Sequence, residues 1–348
     1  MNDLNPRAKA SQIFLLMASF VIVVAGMRAA EPILVPFLMA AFISFLCSPI
    51  MFWLQRVGFP KWLAILVTII VILAVGLLIG TLIGSSIKNF IGDIPTYEVK
   101  LRQQTSLFIN WLNKLGIEIS NRQIADIFNP GAVMGLVGMF LNNLSGVLTN
   151  GFLILMTVVF ILLEASSFPS KLHSISGNPD SSMSRLDQFL NDINRYLAIK
   201  TMISLVTGIL VTVFLLIIDL DYPFVWGLIA FILNYIPNIG SIIASIPAIL
   251  LALVQFGYIW AGVVAIGYFA INIILGGFIE PRLMGRGLGL SPLVVFLSLI
   301  FWGWVLGPVG MLLSVLLTVT AKIALESRED TQWLAVILGP DISPKHRN

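Results

Sequence analysis

The chain has 348 residues, of which 58% are hydrophobic and 11% charged, with a mean hydropathy of +0.99. A soluble domain carries roughly a quarter charged residues, so this composition excludes one. The net charge of +3 comes from basic residues standing singly in loops. Without a dense basic stripe it excludes a nucleic-acid partner and fits the positive-inside bias of membrane proteins.

The first apolar run, 13–30, comes after Arg7 and Lys9. It is long for a signal-peptide core and has no A-x-A cleavage site, so it is expected to be an uncleaved span. A second span is expected at 32–54 and a third at 62–87. The loop between them holds Arg56 and Lys61 and no acid, which places it and the N-terminus in the cytoplasm and the turn at 28–31 outside.

Hydrophobicity falls over 88–130, where Leu101, Phe108, Ile109, Trp111, Leu112 and Leu115 recur at helical spacing. An amphipathic, interfacial or extramembrane helical region is expected there, outside by parity. A fourth span is expected within 131–163. The second polar region, 164–200, carries Leu186, Phe189, Leu190, Ile193, Tyr196 and Leu197 on one helical face and reads as a cytoplasmic surface helix. Span five covers 201–218. Asp219 and Asp221 then stand in a cation-free outer loop.

The segment 224–254 has 31 residues and is interrupted by Asn234, Pro237, Asn238 and Gly240. As one straight helix it would extend about 46 Å, longer than the bilayer, whereas either half is too short to cross. A re-entrant hairpin turning near Pro237 and Gly240 fits both lengths, provided its unpaired backbone is buried or lines a wet cavity. The segment 291–325 repeats the pattern with Gly303, Gly307, Pro308 and Gly310 in mid-run. An ordinary span at 258–279 joins them. With two hairpins, Arg282, Arg286, Lys322 and Arg328 all fall in the cytoplasm, as the positive-inside rule prefers; two kinked, tilted spans are the alternative.

The expected fold is therefore an all-α, polytopic integral membrane protein with about six full spans and two broken helical hairpins. Its segments are a three-helix N-terminal part (1–87), a polar helical region (88–130), the fourth span (131–163), a cytoplasmic amphipathic region (164–200), a transport core (201–325) and a cytoplasmic tail (326–348).

Enzymatic motifs do not appear: the sequence has no G-x-x-x-x-G-K-[ST] loop and no G-x-S-x-G elbow. Cys47 is the lone cysteine, and His173 and His346 are far apart, so no metal site or cofactor is expected.

Paired Pro/Gly-broken segments point to a transporter's binding site near mid-membrane. Asn234, Pro237, Asn238, Gly240, Asn272, Gly307, Pro308 and Gly310 are thus the candidate substrate-binding residues. A buried asparagine in an apolar helix serves equally as glue between helices. Glu280, Arg282 and Arg286 form a charged, glycine-rich loop that can face the pathway, with Glu280 taking a proton or cation. An ion pair of Glu280 with Arg282 or Arg286, anchoring the loop at the headgroups, is the structural alternative. Asp219 is a further coupling candidate or a helix cap.

The stretches N-Y-I-P-N-I-G at 234–240, P-A-I-L-L-A-L at 247–253, I-E-P-R-L-M-G at 279–285 and S-P-L-V-V at 291–295 resemble the bacterial autoinducer-2 exporter-like (AI-2E) permeases. L-V-P-F-L at 34–38 and G-F-P-K-W-L-A at 58–64 are similar to the family's N-terminal part. The resemblance runs from about residue 12 to residue 325. It implies a secondary, non-ATP transporter of the bacterial inner membrane, surrounded by lipid and assembled as a homo-oligomer, a pentamer. The cargo it implies is a small polar solute such as an autoinducer-2-like signal, moved outward. The rival reading is a sodium or lithium/proton antiporter using Glu280, Asp219 or Glu31; a passive channel or a structural membrane protein is the third.

Overall fold

A computed structural model describes residues 6–114, 135, 138, 151–165, 179–237, 239–284, 289–326 and 331–339. Among them no strand occurs, and the protein is an all-α, polytopic membrane protein. Its helices are α1 (Pro6–Ala29), α2 (Glu31–Arg56), α3 (Lys61–Lys114), α4 (Gly151–Ala165), α5 (Pro179–Ile218), α6 (Pro223–Leu233), α7 (Gly240–Phe256), α8 (Tyr258–Asn272), a π-helical stretch (Ile273–Ile279), α9 (Glu280–Met284), α10 (Pro292–Glu326) and α11 (Gln332–Leu338).

Local sequence accounts for the early boundaries. Glu31 in the first turn of α2 and Arg56 in its last both complement the helix dipole. The helix ends in a Schellman arrangement: the Gly58 amide donates to the Gln55 carbonyl and the Phe59 amide to the Leu54 carbonyl, with Gly58 at φ 104°. Pro60 then prevents continuation. Serine and threonine hydroxyls within the apolar helices donate to carbonyls four residues back, as Ser44 does to Ala40, Thr68 to Ala64 and Thr207 to Ile203. Each hydroxyl is thereby satisfied where no water is at hand.

Among the described residues, five helical stretches are long and apolar enough to cross a membrane: Glu31–Arg56, Lys61–Tyr97, Ile193–Ile218, Tyr258–Met284 and Pro292–Glu326. Between 17% and 33% of their most apolar windows is buried within the chain, which leaves broad apolar faces such as Leu77, Leu78, Leu205 and Ile217 exposed. Shorter apolar helical stretches are Met17–Ala29 in α1 and Gly151–Glu164 in α4.

Two boundaries read from polarity are not helix boundaries. The helix of the third span runs on through residue 88 and through Pro95 to Lys114. An interior proline costs about 3 kcal/mol, and the burial of Phe90 and Tyr97 on either side of it offsets that cost. The surface helix expected at 164–200 and the span expected at 201–218 are likewise one helix over 179–218. Its buried stripe explains why. Ile193, Leu197, Lys200, Ser204, Thr207, Val211 and Leu215 all lie at most 5% exposed at steps of three and four, so one packing seam crosses the change from polar to apolar. The first part of the expected fourth span, 131–150, lies outside the described residues apart from 135 and 138.

The chain separates into two compact units. The first comprises Met1–Ser44, Leu153–Ile161 and Gly289–Asn348; the second comprises Phe45–Phe152 and Leu162–Leu288. The core of the second unit joins Phe90 and Tyr97 of α3, Val211 and Leu215 of α5, Trp226 and Ile229 of α6, Ala244, Ala248 and Leu251 of α7, and Val264 and Tyr268 of α8.

Candidate functional site

In the second unit, α6 and α7 form an antiparallel pair, hairpin 1. Val225, Trp226, Ile229 and Ala230 on one arm pack with Ala244, Ala248, Leu251 and Ala252 on the other. The small residues let the arms approach closely. The base is closed by Gln255, whose Oε1 accepts the Asp221 amide at 3.1 Å and whose Nε2 donates to the Asp219 carbonyl at 3.3 Å. Residues 34 and 36 positions apart meet there, so the chain leaves the hairpin at the end by which it entered.

The base is also gripped by α3. The Tyr97 hydroxyl donates to the Asp221 carboxylate at 2.8 Å and the Tyr222 hydroxyl to the Asp93 carboxylate at 2.5 Å. Asp219 and Tyr222 both hold positive φ, 63° and 60°, a costly conformation for residues with side chains that these bonds and the Phe90 ring secure. Burial, and next the bond to Asp93, push the Tyr222 phenol above its ordinary value. Such a group contributes its full stabilisation below the unfolded phenol's pKa of about 10 and loses it as pH rises through the folded value. Alkaline melting of the wild type should therefore steepen above about pH 10 relative to Tyr222→Phe; parallel curves would deny the bond a role.

The tip of hairpin 1 holds Asn234, Tyr235, Ile236, Pro237 and Ile239; Asn238 lies outside the described residues. Its backbone is largely satisfied internally: Asn234 N donates to the Ala230 carbonyl at 3.0 Å, Ile236 N to Leu233 at 2.9 Å and Gly240 N to Ile236 at 3.3 Å. A β-carbon at Gly240 would run into the Leu233 carbonyl oxygen, so glycine is what lets α7 start back beside α6. The arms also sit tightly on α5, where a β-carbon at Gly208 would come within 2.8 Å of the Gly227 carbonyl.

Three polar bridges converge on one turn of α5. The Asn234 carboxamide nitrogen donates to the Ser204 hydroxyl at 3.0 Å. The Tyr235 hydroxyl donates to the Thr201 hydroxyl at 2.8 Å. The Lys200 ammonium, 3% exposed as a residue, contacts Glu280 Oε1 at 2.5 Å, with the glutamate side chain 17% exposed. Among the described residues Glu280 therefore pairs with Lys200 of α5. Arg282 is exposed, and Arg286 lies outside the described residues. Glu280 reaches α5 because α8 does not end as an ordinary helix: the π-helical Ile273–Ile279 holds an extra residue per turn and so re-aims α9 beyond it. Asn272 marks the junction, its oxygen 3.1 Å from where a Gly276 β-carbon would stand.

The candidate residues thus divide. Asn234, Pro237, Gly240 and Glu280 gather at the α5 end of hairpin 1. Asp219 is at the base, about 28 Å away along α5. Lys200, Thr201 and Ser204 were missed, although the run Ile193, Tyr196, Leu197 leads by helical steps directly to Lys200 and Ser204.

Gly307, Pro308 and Gly310 lie in the first unit, within α10. Length and composition would make α10 a straight crossing, but Gly307 at φ 63° and ψ −153° breaks it. The Trp302 indole N–H donates to the Thr318 hydroxyl, 16 residues on, at 3.0 Å. A β-carbon at Gly310 would strike the Trp302 carbonyl. These contacts require a fold-back, and α10 is hairpin 2. Lys322 closes its base by donating to the Gly289 carbonyl at 2.8 Å. Gly240 and Gly310 hold the same office, each starting the return arm against a carbonyl of the outgoing one. Beside the hairpin 2 turn stand the Glu31 carboxylate, 3.2 Å from where a Gly307 β-carbon would be, and Arg28, 4.7 Å above the Trp304 ring.

Residues 15–329 match the model of the AI-2E family transporters. The chain is 41% identical to the AI-2 transport protein TqsA of Escherichia coli (strain K12), over 94% of this chain and 95% of that protein. It is 35% identical to the putative transport protein YhhT of the same strain, over 100% and 99%. A sodium-lithium/proton antiporter of Halobacillus andaensis is 23% identical over 91% and 95%. With nearly its whole length matched, this chain belongs to the AI-2E family of membrane transporters.

Proposed function

We propose that this transporter is a secondary, non-ATP exporter of a small polar solute, passed along α5 at the tip of hairpin 1. The observation that carries the reading is the convergence of three polar bridges from two separate elements on residues 200, 201 and 204, within one turn of α5. Burying that many polar groups in a membrane helix costs stability unless each is paired, and an ionisable residue kept there points to function. Gly240 and Gly310 support a re-entrant placement of both hairpins, with the base of hairpin 1 outside and that of hairpin 2 in the cytoplasm, as the distribution of Lys and Arg favours. Both termini are then cytoplasmic, the membrane is the bacterial inner membrane, and the assembly is a homo-oligomer. A solute of the autoinducer-2 type is the first to test, given the name of the 41% identical relative.

Proteoliposomes loaded with that solute provide the test. Thr201→Val and Tyr235→Phe delete the same hydroxyl bridge from opposite ends, and each should slow efflux up to about tenfold, the equivalent of one lost hydrogen bond of about 1.4 kcal/mol, with insertion unchanged. Wild-type flux in both variants would remove the hairpin tip from the route. Flux that never saturates would mark a passive channel instead.

The second reading, sodium or lithium/proton antiport, is favoured by the buried Lys200–Glu280 pair and by the 23% identical relative of that name. Collapse of an imposed proton gradient on adding sodium or lithium would establish it over solute efflux.

A further inference from the structure

The solute reading uses the Lys200 bridge only as one of three polar contacts, yet Lys200 is the costliest group at the site. A lysine is almost never fully buried without a partner. Here its ammonium is withdrawn from solvent on the α5 seam and, among the described residues, meets a single carboxylate, Glu280, at 2.5 Å. The other polar side chains on that turn present oxygen. Thr201 and Ser204 carry hydroxyls, each bridged to hairpin 1 through Tyr235 or Asn234. Asn234 and Tyr235 come directly after the C-terminal end of α6, the negative end of a helix dipole. One carboxylate, neutral oxygens and a half-helix C-terminus make up the environment in which broken-helix transporters hold a monovalent cation. The π-helical stretch that re-aims Glu280 is a feature that concentrates at functional positions.

We propose that Lys200 is a resident counter-ion: its ammonium occupies a monovalent-cation site built on Glu280 and the oxygens of the hairpin 1 tip, and sodium or lithium competes with it for that carboxylate. The inference rests on the reading that the hairpin 1 tip lies on the transport route. Charge balance gives it direction. With Lys200 on Glu280 the site is neutral and closed; an arriving cation takes the carboxylate only when the ammonium swings away, so the same carboxylate cannot serve both. Lys200 thereby sets how weakly the cation binds.

The test reads binding, not flux. Thermal unfolding of the purified full chain in detergent is measured in sodium or lithium chloride and in choline chloride at equal ionic strength. A ligand that binds only the folded state raises the melting temperature with its concentration. Removing the competitor by Lys200→Met should enlarge the sodium or lithium shift several-fold over wild type, and Lys200→Met/Glu280→Gln should abolish it. Should Lys200→Met not survive extraction in choline chloride, folded yield restored by sodium or lithium in the extraction buffer reports the same site. A shift in Lys200→Met no larger than wild type, a shift that persists in the double variant, or a yield that sodium and lithium fail to restore overturns the proposal. Loss of the cation response would leave the solute route standing. A normal cation response with wild-type efflux in Thr201→Val and Tyr235→Phe would instead remove that route.

Discussion

Lys200→Met, measured in choline chloride, should lower the stability of the protein by about 3–5 kcal/mol, because it strands the Glu280 carboxylate in a largely buried position without its cation. The size of the effect comes from the asymmetry of buried pairs. Transferring two charges out of water roughly cancels their attraction, so the intact pair adds little, whereas one unpaired charge bears the whole desolvation cost. The double variant Lys200→Met/Glu280→Leu should accordingly recover most of the loss, since methionine at 200 extends the apolar run of Ile193, Leu197, Val211 and Leu215 along the seam. Denaturant or thermal unfolding of the two variants checks this. Equal destabilisation of single and double variants would mean that the pair is not a unit. Recovery of stability together with loss of transport would show that the pair is kept for function.

Gly240→Val should be nearly as damaging, by about 2–3 kcal/mol or more. Its β-carbon falls on the Leu233 carbonyl oxygen and within 3.0 Å of the Ile236 β-carbon. Backbone on one side and a β-carbon on the other leave no flexible side chain to move aside, so the return arm α7 has to shift away from α6. A control separates this from the general cost of changing a glycine in a membrane helix. At Gly262 in α8 a β-carbon would meet nothing within 4 Å, and Gly262→Ala should be neutral or stabilising by up to about 1 kcal/mol. Similar losses at 240 and 262, read as the folded fraction after mild heating, would refute a tight hairpin tip.

The hairpins were legible in the letters for a reason of length. A run of 31 residues with Pro237 and Gly240 in its middle fits neither one crossing nor two, and Gly307 and Pro308 pose the same conflict in 291–325. Glu280 and Asn234 were also legible, since an ionisable or carboxamide group inside an apolar stretch requires a partner. The partners were not. Arg282 and Arg286, its neighbours in sequence, were the partners the letters offered Glu280, whereas among the described residues it meets Lys200, 80 residues away. Ser204, which receives Asn234, looked like an ordinary small residue in a span.

Composition and periodicity by themselves determined that the chain lives in lipid, that it is helical throughout its spans, and where its backbone breaks, because each depends on local transfer energies and chain geometry. Tertiary structure alone decided that the break at residue 200 is no break, that a π-helical turn points Glu280 toward Lys200 of α5, and that the hairpin 1 tip docks on Thr201 and Ser204. Those outcomes depend on which buried stripe meets which. A single polar residue on a stripe can announce that it needs a partner, but only the packing of the helices selects it.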